Sequence, residues 1–181
     1  TTPIQLCLMT AQIANGGYKI EPKILTDDNE LTSKQVKKAM QDSKKNNSYE
    51  PLYDDQRNIR IVQEAMFSST NEIMGTSYKS RIEDPKYQFA GKTGTAQVKR
   101  ISKRERELDL ETFQIPYEER DHALYVAYGP YSNPRYAVSI IVEHGGSGSS
   151  AAAPMATKLF KLIIDRHQYR KKLPDYKEFS I

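Results

Sequence analysis

Apolar positions along the chain change spacing several times, and each spacing predicts a different element. The first run, Ile4, Leu6, Cys7, Leu8, Met9, Ala11, Ile13 and Ala14, is apolar nearly all round, which predicts a buried helix. Thr2 as N-cap, Pro3 at the first helical position and Gly16-Gly17 at the end bound this helix within 1–17. Burial so close to residue 1 implies a cover from an upstream segment or a partner, and makes self-association of the chain an expectation. From 18 to 53 the chain makes a loop excursion. Its stretch Thr26–Tyr53 is polar and rich in lysine and asparagine, with a short helix expected at Ser33–Met40. Helical spacing returns over 54–68, with Ile59, Val62, Ala65 and Met66 on one face.

Three strands are expected between 87 and 142. Tyr87–Val98 mixes aromatic and β-branched residues with glycines at 91 and 94, the pattern of a strand that a ligand approaches closely. Ala123–Tyr128 and Tyr136–Val142 are rich in Val, Ile and Tyr, and the turn residues Gly129 to Pro134 join them as an antiparallel hairpin. The insertion 99–121 alternates acidic and basic side chains, which reads as a solvated loop or short helix, with a partner surface as the alternative. Gly145-Gly146-Ser147-Gly148-Ser149-Ser150 reads as a flexible turn with a serine N-cap rather than an anion site, since it lacks the lysine and spacing of a P-loop. A C-terminal helix at 150–170 follows, with Ala152, Met155, Ala156, Leu159, Phe160 and Ile163 on one stripe and a basic end from Arg166 to Lys172. The fold class is therefore α/β (α+β), an antiparallel sheet flanked by helices.

Composition narrows the partners. At 181 residues the chain is one domain or a large piece of one. Its 27 basic and 23 acidic residues leave +4, too balanced to demand nucleic acid. No apolar run approaches the roughly 18 residues of a membrane span. Cys7, the single cysteine, lies in the apolar helix and reads as core packing. His122, His144 and His167 are scattered without metal-ligand spacing, so neither a metal nor a cofactor is expected.

The chemistry concentrates in Gly91-Lys92-Thr93-Gly94-Thr95-Ala96-Gln97-Val98. A P-loop needs a glycine five positions before its Gly-Lys pair, and Lys86 stands there instead. Lys-Thr-Gly is also the triplet of penicillin-recognising serine enzymes, which use it with Ser-x-x-Lys and Ser-x-Asn elements.

Further blocks lie around it in the same order as in class B penicillin-binding proteins: Thr2-Pro3-Ile4-Gln5-Leu6, Ala14-Asn15-Gly16-Gly17, Asp121-His122-Ala123-Leu124, Ala127-Tyr128-Gly129-Pro130 and Val142-Glu143-His144-Gly145-Gly146. The chain resembles that family from Thr2 to about Leu173. The resemblance implies the penicillin-recognising transpeptidase fold and a peptidoglycan D,D-transpeptidase that works through a serine acyl-enzyme. It implies that Lys92 gives the site a fixed positive charge, and that the Thr93 and Thr95 hydroxyls hold the carboxylate of a stem peptide or of penicillin. Gly94 would let the substrate lie against the strand, and the Thr95 N–H would form half of an oxyanion hole. It further implies a cell-elongation glycosyltransferase as partner and a place on the periplasmic face of the inner membrane, held there by an upstream helix.

One departure matters. No serine in the sequence is followed by lysine at the third position, so the nucleophile and its base are expected outside this chain. Ser69-Thr70-Asn71 spells Ser-x-Asn, but the family's element precedes the first helix, so this copy is rejected. The chain is thus expected to be the C-terminal part of a transpeptidase domain, with no catalytic residue of its own and no activity alone. The alternative is a non-catalytic substrate- or partner-binding module on the same fold; a Ser-x-x-Lys in the full-length gene decides between them.

Overall fold

The computed structural model describes residues 1–20, 22, 51–99 and 110–171, with side chains described to residue 166. The short helix expected at Ser33–Met40 and the middle of the 99–121 insertion lie outside the described residues.

Helix α1, Pro3–Ala14, starts in a reciprocal cap. The Gln5 N–H donates to Thr2 Oγ1 at 3.3 Å, and the Thr2 N–H donates to Gln5 Oε1 at 2.8 Å. At its other end Gly16 and Gly17 adopt φ of 94° and 89°, which lets the Gly17 N–H reach back to the Gln12 carbonyl at 2.7 Å. Helix α2, Gln56–Asn71, is capped by Asp55, whose carboxylate accepts from the Arg57 N–H at 2.9 Å. Strands β1 (Ala90–Ala96), β2 (His122–Gly129) and β3 (Tyr136–Val142) form one antiparallel sheet in the order β1-β2-β3. A π-helical turn at Gly148–Ala152 leads into helix α3, Ala153–Lys171.

Strand β2 is the centre, and its side chains alternate between two cores. Ala123, Tyr125 and Ala127 pack with Phe89 and with Ala152, Ala153, Ala156, Phe160 and Ile164 of the α3 layer. The Phe89 and Phe160 rings stack at 4.9 Å. Tyr128, with half-buried Val126, packs in the other core with Ala90, Met66 and Phe67 of α2, and Ile13 and Ala14 of α1. Helices thus cover both faces of the sheet. Gln63 ties the two helices of the second face, its side-chain amide donating to the Ile13 carbonyl at 2.7 Å. Among the described residues no helix is long and apolar enough to cross a membrane.

Several expectations are corrected by packing. α1 is not buried on every side: only Thr10 is buried, while Ile4 and Met9 are 55% and 41% exposed. One face of α1 rests on the sheet, where Cys7 Sγ lies 3.4 Å from the Ala137 carbonyl, and the described residues offer its other face no surface. Partial burial pushes the Cys7 thiol pKa up. On α2 the inward face is Ile59, Gln63, Met66 and Thr70, each about one turn from the next, whereas Val62 and Ala65 are exposed. On α3 the inward stripe is Ala152/Ala153, Ala156, Phe160 and Ile164; Met155 and Leu159 point outward. Steps of three and four on α2 and of four on α3 keep one narrow stripe against the sheet, so apolar residues one position to the side of it face outward. The Gly145–Ser150 turn is not capped by serine: Ser147 makes no side-chain cap, and Gly148 is wedged against the β1–β2 backbone. The histidines are not all scattered either. The hairpin end brings His122 and His144 together, the His144 N–H donating to His122 Nδ1 at 2.9 Å with the rings 4.7 Å apart.

Candidate functional site

Lys92, Thr93, Gly94 and Thr95 lie in the middle of β1, an edge strand of the sheet among the described residues. They pair with Val126, Tyr125, Leu124 and Ala123 of β2. Thr93 and Thr95 fall on one face by the two-residue period, and Lys92 and Gly94 on the other. Lys92 is exposed and curls along the strand: its Nζ donates to the Thr93 carbonyl at 2.9 Å and to Thr93 Oγ1 at 3.4 Å. Ammonium and hydroxyl therefore converge at the exposed strand, the arrangement that attracts an anion. Thr95 is exposed beside them.

Three glycines set the backbone. A Cβ on Gly91 would fall on the Tyr125 hydroxyl and come within 2.5 Å of Tyr125 Cζ, so the absent side chain is what lets this ring cross β1. A Cβ on Gly148 would overlap the Leu124 carbonyl and sit 2.6 Å from the Gly94 carbonyl. The 145–150 turn therefore braces the strand directly behind the triplet. A Cβ on Gly94 would meet only Leu124 Cβ, at 3.3 Å.

Beneath the strand lies a buried cluster of hydroxyls. Tyr125 OH is 3.0 Å from Thr70 Oγ1 and 3.0 Å from Ser77 Oγ, and the latter donates to the Ser69 carbonyl at 3.0 Å. Burial raises the Tyr125 pKa, and the bonds to Ser77 and Thr70 pull it partly back, so the phenol stays protonated. Asn71 donates through its side-chain amide to the Phe89 carbonyl at 3.0 Å, fixing the entry into β1. Ser69-Thr70-Asn71, set aside from sequence as a copy of the family's Ser-x-Asn, thus packs against the Lys-Thr-Gly strand as support.

Sequence reading named Lys92, Thr93, Gly94 and Thr95, and the structure brings these four together on one short strand. It missed Tyr125, Ser77, Gly148 and Thr76. The last is 17 positions from Thr93 and has its hydroxyl 3.2 Å from Thr93 Oγ1. No local spacing marks these residues, because each acts through a contact made only after the sheet and helices have packed. No group of three or more His, Cys, Asp or Glu side chains among the described residues is placed to hold a metal ion.

Comparisons with known proteins bear on the family to which the chain belongs. The family model described as "Penicillin binding protein transpeptidase domain" matches residues 1–161. The peptidoglycan D,D-transpeptidase MrdA of Haemophilus influenzae is 29% identical over 99% of this chain and 25% of its own length. MrdA of Acinetobacter baumannii is 36% identical over 83% of the chain and 20% of its own length. Among solved structures, PBP2 of Pseudomonas aeruginosa superposes with a TM-score of 0.58 at 30% identity, over 89% of this chain and 30% of that one. Helicobacter pylori PBP2, solved in complex with MreC, gives 0.59 at 25% identity, over 95% of this chain and 25% of that one. The chain spans about a quarter of the length of the curated relatives it matches. An antiparallel sheet covered by helices on both faces, a Lys-Thr-Gly strand at its edge and a family match over nearly the whole chain lead to one conclusion: the chain belongs to the penicillin-binding protein transpeptidase domain family.

Proposed function

We propose that the chain provides the substrate-holding strand of a peptidoglycan D,D-transpeptidase of the penicillin-binding protein 2 type, which cross-links stem peptides through a serine acyl-enzyme and is acylated by β-lactams. The observation that carries the reading is the exposed edge strand on which the Lys92 ammonium and the Thr93 hydroxyl lie 3.4 Å apart. In the full-length protein the serine nucleophile and its activating lysine stand outside these residues, since no serine here has a lysine at the third position.

The proposed roles follow from the chemistry of each group. A stem peptide and a penicillin both carry a carboxylate. The Lys92 charge lowers the energy of that anion, and the Thr93 and Thr95 hydroxyls donate to it. Gly94 leaves the strand open on one side, so an extended peptide can add to the sheet edge by backbone hydrogen bonds. The carbonyl then lies beside the Thr95 N–H, one of two oxyanion donors; the other is the N–H of the serine itself. Losing one such donor costs about 10²–10³ in rate, so the 181-residue chain alone is expected to be silent. In its cellular setting the intact protein works on the periplasmic face of the inner membrane with a cell-elongation glycosyltransferase, and H. pylori PBP2, a structural neighbour, is known in complex with MreC.

A fluorescent penicillin tests the proposal. The full-length protein is expected to be labelled one-to-one and the isolated 181-residue chain not at all. Stoichiometric labelling of the isolated chain would overturn the placement of the nucleophile. Lys92→Ala in the full-length protein is expected to slow acylation at least tenfold, as befits loss of a charge-assisted contact of about 1.5–3 kcal/mol. An unchanged rate would remove Lys92 from the mechanism.

A further inference from the structure

Thr93 Oγ1 has more company than a free substrate contact needs. Lys92 Nζ donates to it at 3.4 Å from one side, and Thr76 Oγ1 stands 3.2 Å away on another. Thr76 in turn is 3.2 Å from Ser69 Oγ. Three hydroxyls, from α2, the turn after it and β1, therefore form one chain that ends at the Lys-Thr-Gly strand.

The turn that carries Thr76 is held closely. The Gly75 N–H donates to the Glu72 carbonyl at 2.8 Å, and the Ser77 N–H donates to the Ser69 carbonyl at 3.0 Å. The Ser77 side chain donates to that same carbonyl and reaches Tyr125 OH. A Cβ on Gly75 would overlap the Ser69 carbonyl and sit 2.6 Å from that of Ser68, so only glycine lets the turn fold this tightly onto the helix end. The position of the Thr76 hydroxyl is thus set by backbone contacts on both sides of it.

A hydroxyl has one proton and two lone pairs. When Lys92 and Thr76 both donate to Thr93 Oγ1, its lone pairs are engaged and its proton has nowhere to go but outward. Taken alone, the Ser69–Thr76–Thr93 chain has two directions. An anion at the open end selects one of them: Ser69 donates to Thr76, Thr76 to Thr93, and Thr93 to the anion. Each donation polarises the next, which strengthens the last.

The geometry points to Thr76 as a positioning residue for the substrate carboxylate, acting through Thr93, with Ser69 behind it at the start of the relay. This rests on the proposed role of Thr93 as a carboxylate contact, and the test separates the two. In the full-length protein, with a carboxylate-bearing penicillin as probe, pre-steady-state acylation resolves the dissociation constant from the rate constant of serine acylation. Thr93→Val comes first; if it binds the probe as tightly as wild type, the carboxylate role of Thr93 falls and the inference with it. If Thr93→Val weakens binding, Thr76→Val is expected to raise the dissociation constant by about two- to tenfold, the worth of one neutral hydrogen bond. The acylation rate constant is expected to stay within about twofold, because Thr76 acts through the carboxylate contact of Thr93 and not on the acyl carbon. Thr76→Ser keeps the hydroxyl and is expected to restore binding. In the Thr93→Val background Thr76→Val is expected to change nothing further.

Wild-type binding by Thr76→Val, an effect additive with Thr93→Val, or equal damage from Thr76→Val and Thr76→Ser would each overturn the inference. Should Thr76→Val fail to fold by circular dichroism, Ser69→Ala carries the test from the far end of the relay. It is expected to weaken binding by about twofold, less than a full hydrogen bond because its effect is indirect. Unchanged binding in that variant would overturn the relay.

Discussion

Replacing Gly91 by alanine tests the architecture under the Lys-Thr-Gly strand with one methyl group. The new Cβ would land on the Tyr125 hydroxyl, 2.5 Å from Cζ and 2.8 Å from Cε1. An aromatic ring cannot yield as a long aliphatic chain does, and this one is fully buried between β1 and the α3 layer. Overpacking of this kind costs about 1–3 kcal/mol. Shifting the ring also pulls its hydroxyl from Thr70 and Ser77, both at 3.0 Å, at about 0.5–1.5 kcal/mol each. The sum is about 2–6 kcal/mol, against a total stability of about 5–15 kcal/mol for a domain. With a urea slope near 2 kcal/mol/M, the unfolding midpoint should drop by roughly 1–3 M. Tyr125→Leu should destabilise as well, but the Gly91→Ala/Tyr125→Leu pair should lose less than the two effects summed, because the shorter side chain vacates the space the methyl needs. A Gly91→Ala midpoint within about 0.3 M of wild type, or strict additivity of the pair, would refute the proposed collision.

Two further outcomes are expected from the contacts around the sheet. Gly148→Ala would drive a methyl into the carbonyls of Leu124 and Gly94, which are fixed in the β1–β2 ladder and cannot turn aside. A loss of about 2–3 kcal/mol, or roughly 5–10 °C in Tm, is expected by calorimetry, and a change under about 2 °C would argue against the brace. At the other end of the core, Asp165 accepts from Tyr87 OH at 2.5 Å and from Lys86 at 3.0 Å, which holds its carboxyl below the ordinary range. A depressed carboxylate stabilises the fold above its unfolded pKa of about 3.9 and loses that contribution as pH falls through the folded value. Asp165→Asn should therefore lower the urea midpoint slightly at pH 7 and converge with wild type in strong acid; a gap independent of pH would exclude the carboxylate charge as its cause.

Much of this architecture is readable before folding. The apolar spacing of β2 and β3 with Gly129 to Pro134 between them needs only local rules, and so does the Lys92–Thr95 segment. What could not be read is what depends on which neighbour arrives. Val62 and Ala65 fit a helical face as well as Gln63 and Thr70 do, yet the helix turns the latter pair inward because Gln63 finds the α1 carbonyls and Thr70 finds Tyr125. α1 carries apolar residues around its whole circumference, but a sheet can cover only one side of a helix. The histidines at 122 and 144 look unrelated until the hairpin folds their strands together. At the site itself, residue type announced the charge and hydroxyls on β1, while the hydroxyl that orients Thr93 lies in a turn with no signature of its own.

Tyr18, just past the end of α1, and Pro51, just before α2, are joined by an isolated bridge beside the Leu52 N–H to Gly17 carbonyl bond at 2.9 Å. The bridge clamps the C-terminal end of α1 to the entry of α2, so the two helices on this face of the sheet are joined at their near ends as well as through Gln63. A disturbance at either helix is therefore passed to the other before it reaches the sheet, and the pair acts on β1 as a single buttress.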